Sequence, residues 1–301
     1  MWVPVPDVTV MCDTSNTTEY TLCGTTGDTA VTTNKYSKSG IISGKTRITP
    51  GTTSDFREPD LVVGSGTEYD ASDTSSDTYY KTILGKTGTK EQLAQLFADE
   101  YKAMIESVSK YGGFYIGRYE LSGTVTEPTE KPGKTLTKTD WYNLYNACRS
   151  SKLQASDKVK TQMIWGCQWD VTMNWLISSG AKTSDEVNKD SSSWGNYKDT
   201  LVTADDGTTK IKEYGTSAKL NTGVTTFTMA NNIYDLAGNV SEWTKEASYA
   251  DYRASRGGTF SSNCSDSPAS DRGSNYPGGS AYGGTRFSSN FNNKVILDTR
   301  A

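Results

Sequence analysis

Asn231-Asn232-Ile233-Tyr234-Asp235-Leu236-Ala237-Gly238-Asn239-Val240-Ser241-Glu242-Trp243 is the stretch whose reading decides the fold of this 301-residue chain. Ser255-Arg256-Gly257-Gly258 follows it, and Gly284-Thr285-Arg286-Phe287 closes the region. Between these last two markers the chain is almost wholly Ser, Gly, Asn, Asp, Tyr, Ala and Pro. Two ordered signatures therefore bracket a segment with the composition of a binding loop. That pattern separates a scaffold from a surface, and function is expected on the surface.

The bulk composition narrows the function classes. The formal charge is −4, from 31 basic and 35 acidic residues, and no Lys/Arg cluster is interleaved with aromatics. A nucleic-acid partner is not expected from such a chain. No apolar run approaches the length of a membrane span, so membrane insertion is not expected either. The opening Met1-Trp2-Val3-Pro4-Val5-Pro6 lacks a basic region followed by an apolar one, and no signal peptide is visible. That leaves a cytosolic product or a segment of a longer chain. There is no histidine, which excludes His-based triads, imidazole metal ligands and imidazole acid–base catalysis. The five cysteines, Cys12, Cys23, Cys148, Cys167 and Cys264, show no CxxC spacing. Cys148 and Cys167 sit in apolar contexts and are expected as small buried hydrophobes. Cys12 and Cys23 could close a hairpin disulfide in an oxidising compartment, and Cys264 could be a free thiol in the polar loop.

Outward from the opening stretch, the chain divides by periodicity. Short strands are expected at Met1–Val5, Thr18–Leu22 and Asp60–Val63, within Thr/Ser/Gly/Asp-rich loops that run to about residue 88. Thr89-Lys90-Glu91-Gln92 has capping-box spacing. Leu93, Leu96, Phe97, Met104, Ile105 and Val108 then share one helical face, and Gly112-Gly113 ends the helix. Phe114–Glu120 is expected as a strand and Thr124–Lys138 as a loop. A second helix begins near Thr139 or Asp140, with Trp141, Leu144 and Cys148 on one face. A third carries Trp169, Met173 and Leu176 and ends near Gly180. Aromatic stripes at this spacing form core. Residues 181–226 are expected as polar loops. No linker divides the chain, so a single α+β domain over 1–301 is expected.

Tyr115–Glu120, Trp165–Asp170, Asn232–Trp243, Arg256-Gly257-Gly258 and Gly284-Thr285-Arg286 occur here in the order found in formylglycine-generating-enzyme-like (sulfatase-modifying factor) domains, and the chain resembles that family. The resemblance implies an elaborated C-type lectin fold. The family's enzymes oxidise a substrate cysteine with a copper ion held by a cysteine pair soon after Arg-Gly-Gly. Only Cys264 lies there, and one thiolate cannot supply two-sulfur coordination of a soft metal, so copper is not expected. Such domains bind calcium at the Asn-Val-x-Glu-Trp turn. The resemblance would make Asp235 and Glu242 carboxylate ligands, with the carbonyls of Gly238 and Val240, and oxygen donors suit Ca²⁺ in a structural role. The other reading is that Asp235 and Glu242 cap turns or meet an arginine such as Arg256.

The same fold serves as the variable protein of diversity-generating retroelements. There, adenine-directed mutagenesis turns AAY asparagine codons into many residue types but never Lys, Glu, Gln, Met or Trp. Those five types make up 53 of the 301 residues, and none occurs from Ala247 to Asn293. Residues 256–293 are therefore the candidate variable segment. Within it, Arg256-Gly257-Gly258, Pro268-Ala269-Ser270, Arg272, Pro277 and Gly284 look like fixed framework. Tyr276 and Tyr282 are the expected contact anchors, with Phe260 a weaker one. Thr259, Ser261, Ser262, Asn263, Cys264, Ser265, Asp266, Asp271, Gly273, Ser274, Asn275, Gly279, Ser280 and Ala281 complete the expected ligand-binding set. Tyr gives rigid contact area, and Ser, Gly and Asn give adaptable hydrogen bonds. Arg256, Arg272 and Arg286 are expected to hold the loop rather than touch ligand. Phe287–Asn293 precedes the apolar Val295-Ile296-Leu297, so either the variable patch extends further or the last strand is displaced.

The leading expectation is a non-enzymatic ligand- or receptor-binding protein, displayed on a phage tip or a bacterial surface, whose partner is a protein or glycan such as a host-cell receptor. An invariant carbohydrate-binding lectin-like module is the alternative. A copper-dependent formylglycine-generating oxidase is the least favoured reading.

Overall fold

The computed structural model describes residues 1–8, 11, 41–42, 45–46, 83–84, 90–137, 139–154, 159–248, 252–275, 277, 284–285 and 287–291. Thr18–Leu22, Asp60–Val63, Cys12 and Cys23 lie outside these residues.

The first long element is the 22-residue helix Lys90–Tyr111. Leu93, Phe97, Met104, Ile105 and Val108 are buried on it, joined by Tyr101, so the predicted stripe is the face that packs. Gly112 follows with φ +75°, the left-handed turn that ends a helix at low steric cost. The chain then enters strand Gly113–Ile116. The expected strand to Glu120 stops early. Beyond Ile116 the backbone finds other partners: Arg118 N donates to the Glu130 carboxylate, and Arg118 O accepts from Tyr234 N at 2.9 Å.

Four antiparallel strands form one sheet in the order Trp2–Pro4, Gly113–Ile116, Phe287–Phe291, Val159–Met163. The segment preceding Val295 is thus itself a strand, seated between two others. A second sheet has the order Arg272–Asn275, Tyr252–Arg256, Glu242–Ser248, Gly284–Thr285, antiparallel except for the last pair.

Two further helices cover these sheets. Trp141–Cys148 starts at Asp140, whose carboxylate accepts from Asn143 N at 2.8 Å. Gly166–Ser178 is buried over its first two turns, including Cys167, Trp169, Val171 and Met173, and Gly180 follows it with φ +74°. Residues 181–226, expected as loops throughout, contain more order. Thr183 and Glu186 form a reciprocal cap on the short helix Ser184–Asn188. Val202–Thr203 pairs with Lys210–Lys212. Lys212 is buried and donates to the carbonyls of Tyr197, Thr200 and Thr216, satisfying acceptors that the loop leaves open. Thr124–Lys138, also expected as a loop, includes Pro128–Thr129, which pairs with Ser122–Gly123 in a small hairpin.

Apolar packing falls into two clusters. One contains Val3, Ile116, Trp165, Trp169, Leu176 and Trp194. The other contains Leu93, Phe97, Trp141, Tyr145 and Trp243. Cys148 and Cys167 are buried within them and are not joined in a disulfide. No helix among the described residues is long and apolar enough to cross a membrane.

Candidate ligand-binding surface

The second sheet sets the base of the candidate loop. In its register Glu242 lies opposite Arg256, and Arg256 lies opposite Arg272. Two arginines side by side on neighbouring strands repel, and both are buried here. Asp170 resolves the conflict from helix 166–178: one carboxylate oxygen pairs with Arg256 and the other with Arg272. Arg272 also donates through Nε to Glu246 at 3.0 Å. These arginines are held inward by carboxylates. Arg286 lies outside the described residues.

The turn from Asn231 to Asn239 is shaped by left-handed backbone. Asn231, Asn232, Asp235 and Asn239 all have positive φ, a conformation that Asn and Asp tolerate best among residues with a side chain. Gly238 is positive as well, and a Cβ there would lie 2.3 Å from the Asn196 carbonyl. Asn239 then acts as a joint: its side chain accepts from Asn196 and Leu220 N and donates to Glu120.

Glu120 is the residue that sequence reasoning missed. It is fully buried. Its carboxylate accepts from Thr135 Oγ1 at 2.6 Å, Asn239 Nδ2 at 2.8 Å and Val240 N at 3.2 Å. It therefore ties three distant segments together. A partner 119 positions away leaves no local spacing signal to find.

The expected calcium residues face several partners. Asp235 accepts from Thr222 Oγ1 at 2.8 Å and Gly223 N at 3.1 Å. Gly238 N donates to Gly257 O, and Val240 N donates to Glu120. Glu242 is buried with its carboxylate beside Gly257. Among the described residues no group of three or more His, Cys, Asp or Glu is placed to hold a metal.

The candidate loop leaves this base at Gly257 and Gly258, with φ +85° and +73°. A Cβ on Gly258 would lie 2.4 Å from the Ser267 carbonyl, so the two ends of the first loop touch there. Several hydrogen bonds fix the path. Tyr197 Oη donates to Gly257 O at 2.9 Å, Phe260 N to Asn239 O at 2.9 Å, and Lys198 N to Ser262 O at 3.0 Å. Trp169 Nε1 donates to Ala269 O, and Ala269 N to Ser191 Oγ.

Burial then separates the residues. Arg256, Gly257, Gly258, Pro268, Ala269, Ser270, Arg272 and Pro277 are buried. Ser261, Asn263, Ser265, Asp266 and Asn275 are exposed, and Thr259, Phe260, Ser262, Asp271 and Gly273 are half-buried. Ser274 is in strand Arg272–Asn275. Tyr276, Gly279, Ser280, Ala281 and Tyr282, which include both expected anchors, lie outside the described residues.

Cys264 departs from its neighbours. It is buried, its N–H donates to Asp199 Oδ1 at 3.0 Å, and its thiol faces Asp199 Oδ2 at 3.3 Å. Burial, with the carboxylates of Asp190 and Asp199, pushes the thiol up to about 12.

Residues 174–286 match the family model described as the sulfatase-modifying factor enzyme 1-like domain. Among solved structures, the chain is similar to Treponema denticola variable protein 1 at 14% identity, over 62% of this chain and 66% of that one, with a TM-score of 0.26. The chain thus spans just under two thirds of that protein's length. No curated protein matches the chain. Mixed helix and sheet make the fold α+β, and residues 174–286 are similar to the sulfatase-modifying factor enzyme 1-like domain.

Proposed function

We propose that this is a non-enzymatic ligand-binding protein whose variable surface is carried on a C-type-lectin-type scaffold. The surface is formed by Thr259, Ser261, Ser262, Asn263, Ser265, Asp266, Asp271 and Asn275. The observation that carries the reading is the partition of burial within 256–277. Positions expected to be framework point inward, and the polar positions between them are exposed or half-exposed. The absence of Lys, Glu, Gln, Met and Trp from 247–293 supports a diversified origin. A backbone fixed by Tyr197, Asn239, Trp169 and Ser191 lowers the ordering cost of binding. The partner is a protein or glycan, such as a host-cell receptor met at a phage tip or a bacterial surface.

Reading the DNA beside the gene tests this. A near-identical repeat with adenines at these codons, next to a reverse transcriptase, is the expected finding. Absence of both sets the diversified reading aside.

The invariant lectin reading draws on one contact, the exposed amide–carboxylate pair of Asn263 and Asp266 at 3.1 Å. A calcium-dependent glycan hit that disappears in Asn263→Ala would favour it. A structural Ca²⁺ at Asp235 and Glu242, with the Gly238 and Val240 carbonyls, belongs to our proposal as well. Its check is calorimetry: calcium should raise the melting temperature and a chelator should reverse the shift.

A further inference from the structure

We propose that a cleft beside the 122–129 hairpin is a second binding site, for an anionic oligosaccharide. The cleft has a volume of about 730 Å³, and Lys131, Lys134 and Lys219 line it together with the hydroxyl-bearing Ser122, Thr129 and Thr137. No carboxylate and no aromatic ring is found among its described lining residues. The whole chain carries a formal −4, so the cleft is a local reversal of sign. A concave, one-signed surface concentrates ligands of the opposite charge.

The floor is built rather than loose. Ser122 Oγ donates to the carbonyls of Thr129 and Lys131 at 3.1 and 3.0 Å. Thr135 is anchored on the buried Glu120, and Gly133 exchanges backbone hydrogen bonds with Thr222 at 3.1 and 2.8 Å. Lys219 Nζ donates to Thr137 Oγ1 at 2.9 Å, which orients one ammonium at the rim. Lys131 and Lys134 are exposed and form no ion pair among the described residues. Three ammonium groups beside a hydroxyl-bearing floor match a hydroxyl-rich chain bearing several anionic groups. The absence of rings disfavours single-stranded nucleic acid, which binds by base stacking. The anionic groups can be sulfates or uronic carboxylates, and the cleft chemistry is shared by both. None of the described lining residues belongs to the 256–293 segment, so this site stands or falls independently of the proposed variable surface.

The test is calorimetric titration of the full chain with a heparin-derived oligosaccharide, an oligogalacturonate, a neutral malto-oligosaccharide and an oligothymidylate. Binding of either acidic sugar is expected, with the stronger of the two naming the anion. It should weaken about tenfold or more between about 50 and about 300 mM salt, because exposed charges are screened. Lys131→Gln/Lys134→Gln should lose binding by a similar factor with an unchanged melting temperature, while Lys131→Arg/Lys134→Arg retains it. The proposal is overturned if neither acidic sugar binds, if the glutamine variant binds as well as the parent, or if the malto-oligosaccharide or oligothymidylate binds equally.

Discussion

Residues 256–258, 268–270 and 272 share a continuous stretch and a similar composition with residues 259–266, yet the two sets are held differently. The first set is buried and tied to distant elements: Arg256 and Arg272 to Asp170, Gly257 to Tyr197, and Ala269 to Trp169 and Ser191. The second bonds chiefly within itself. Thr259 Oγ1 contacts the hydroxyls of Ser261 and Ser262 at 2.9 and 3.0 Å, and Asn263 pairs with Asp266. Polar composition alone therefore says little about exposure. What separates the sets is where the exposed side chains find partners: those of Thr259, Ser261, Ser262, Asn263 and Asp266 bond inside the loop, while its ties across the fold run through the Phe260 and Ser262 backbone and the buried Cys264.

That contrast can be broken at its strongest point. Asp170→Ala leaves two buried guanidinium groups facing each other without their shared carboxylate. A loss of about 3–5 kcal/mol is expected from removing one partner of a buried ion pair, read as a fall in the denaturant midpoint. A change below about 1 kcal/mol would show that Glu246 and backbone acceptors suffice.

Glu120→Ala should follow in size. It removes three hydrogen bonds to a buried carboxylate, and a loss of about 3 kcal/mol is expected. Proteolysis should show 133–137 and 239–240 loosening together, since one carboxylate holds both.

Cys264 sharpens the comparison, because it sits among exposed residues but is packed like framework. With its thiol pushed up to about 12, it has very little thiolate at pH 8. Alkylation by iodoacetamide should be slower than for an exposed cysteine by roughly a hundredfold. Peptide mass spectrometry resolves the site, and a rate equal to that of free cysteine would contradict the assignment.

A smaller effect belongs to the scaffold's other charge cluster. Burial alone would raise the Glu100 carboxyl, but Lys245 and Arg149, with hydrogen bonds from Lys245 and Tyr145, outweigh it and hold it below its ordinary value of 4.5. The unfolded chain then binds this proton first as pH falls. The stabilisation is complete above pH 4.5 and is lost as pH drops through the folded-state value. Glu100→Gln should flatten that acid limb of the stability curve. An unchanged acid limb would place the titration elsewhere.

Much of this was legible in sequence. The 3.6-residue period gave the buried face of helix 90–111, and Gly112 gave its end. Trp141 and Trp169 gave the faces of two more helices, and Arg-Gly-Gly marked the framework. Three features were not legible. Two of the three partners of the Glu120 carboxylate lie more than a hundred positions away. Lys212, a residue type that is rarely buried, is inside because loop carbonyls surround it. Phe287–Phe291 holds a place between two strands despite its Ser and Asn residues, because its backbone pairs on both edges. Sequence pattern reports local spacing and side-chain polarity, and each of these depends on a long-range backbone or buried polar partner.

The most direct measurement of the central claim is a displayed library randomised at Ser261, Asn263, Ser265, Asp266 and Asn275, compared with one randomised at Gly258, Ala269, Ser270 and Arg272. Folding is scored by protease resistance and the survivors are panned against unrelated targets. Surface substitutions away from special features change stability by about 0.5 kcal/mol or less. Most members of the first library should therefore stay folded and yield different binders for different targets, while the second library collapses toward the parental residues. Equal collapse of both libraries, or a folded first library that never yields a new binder, would contradict the account.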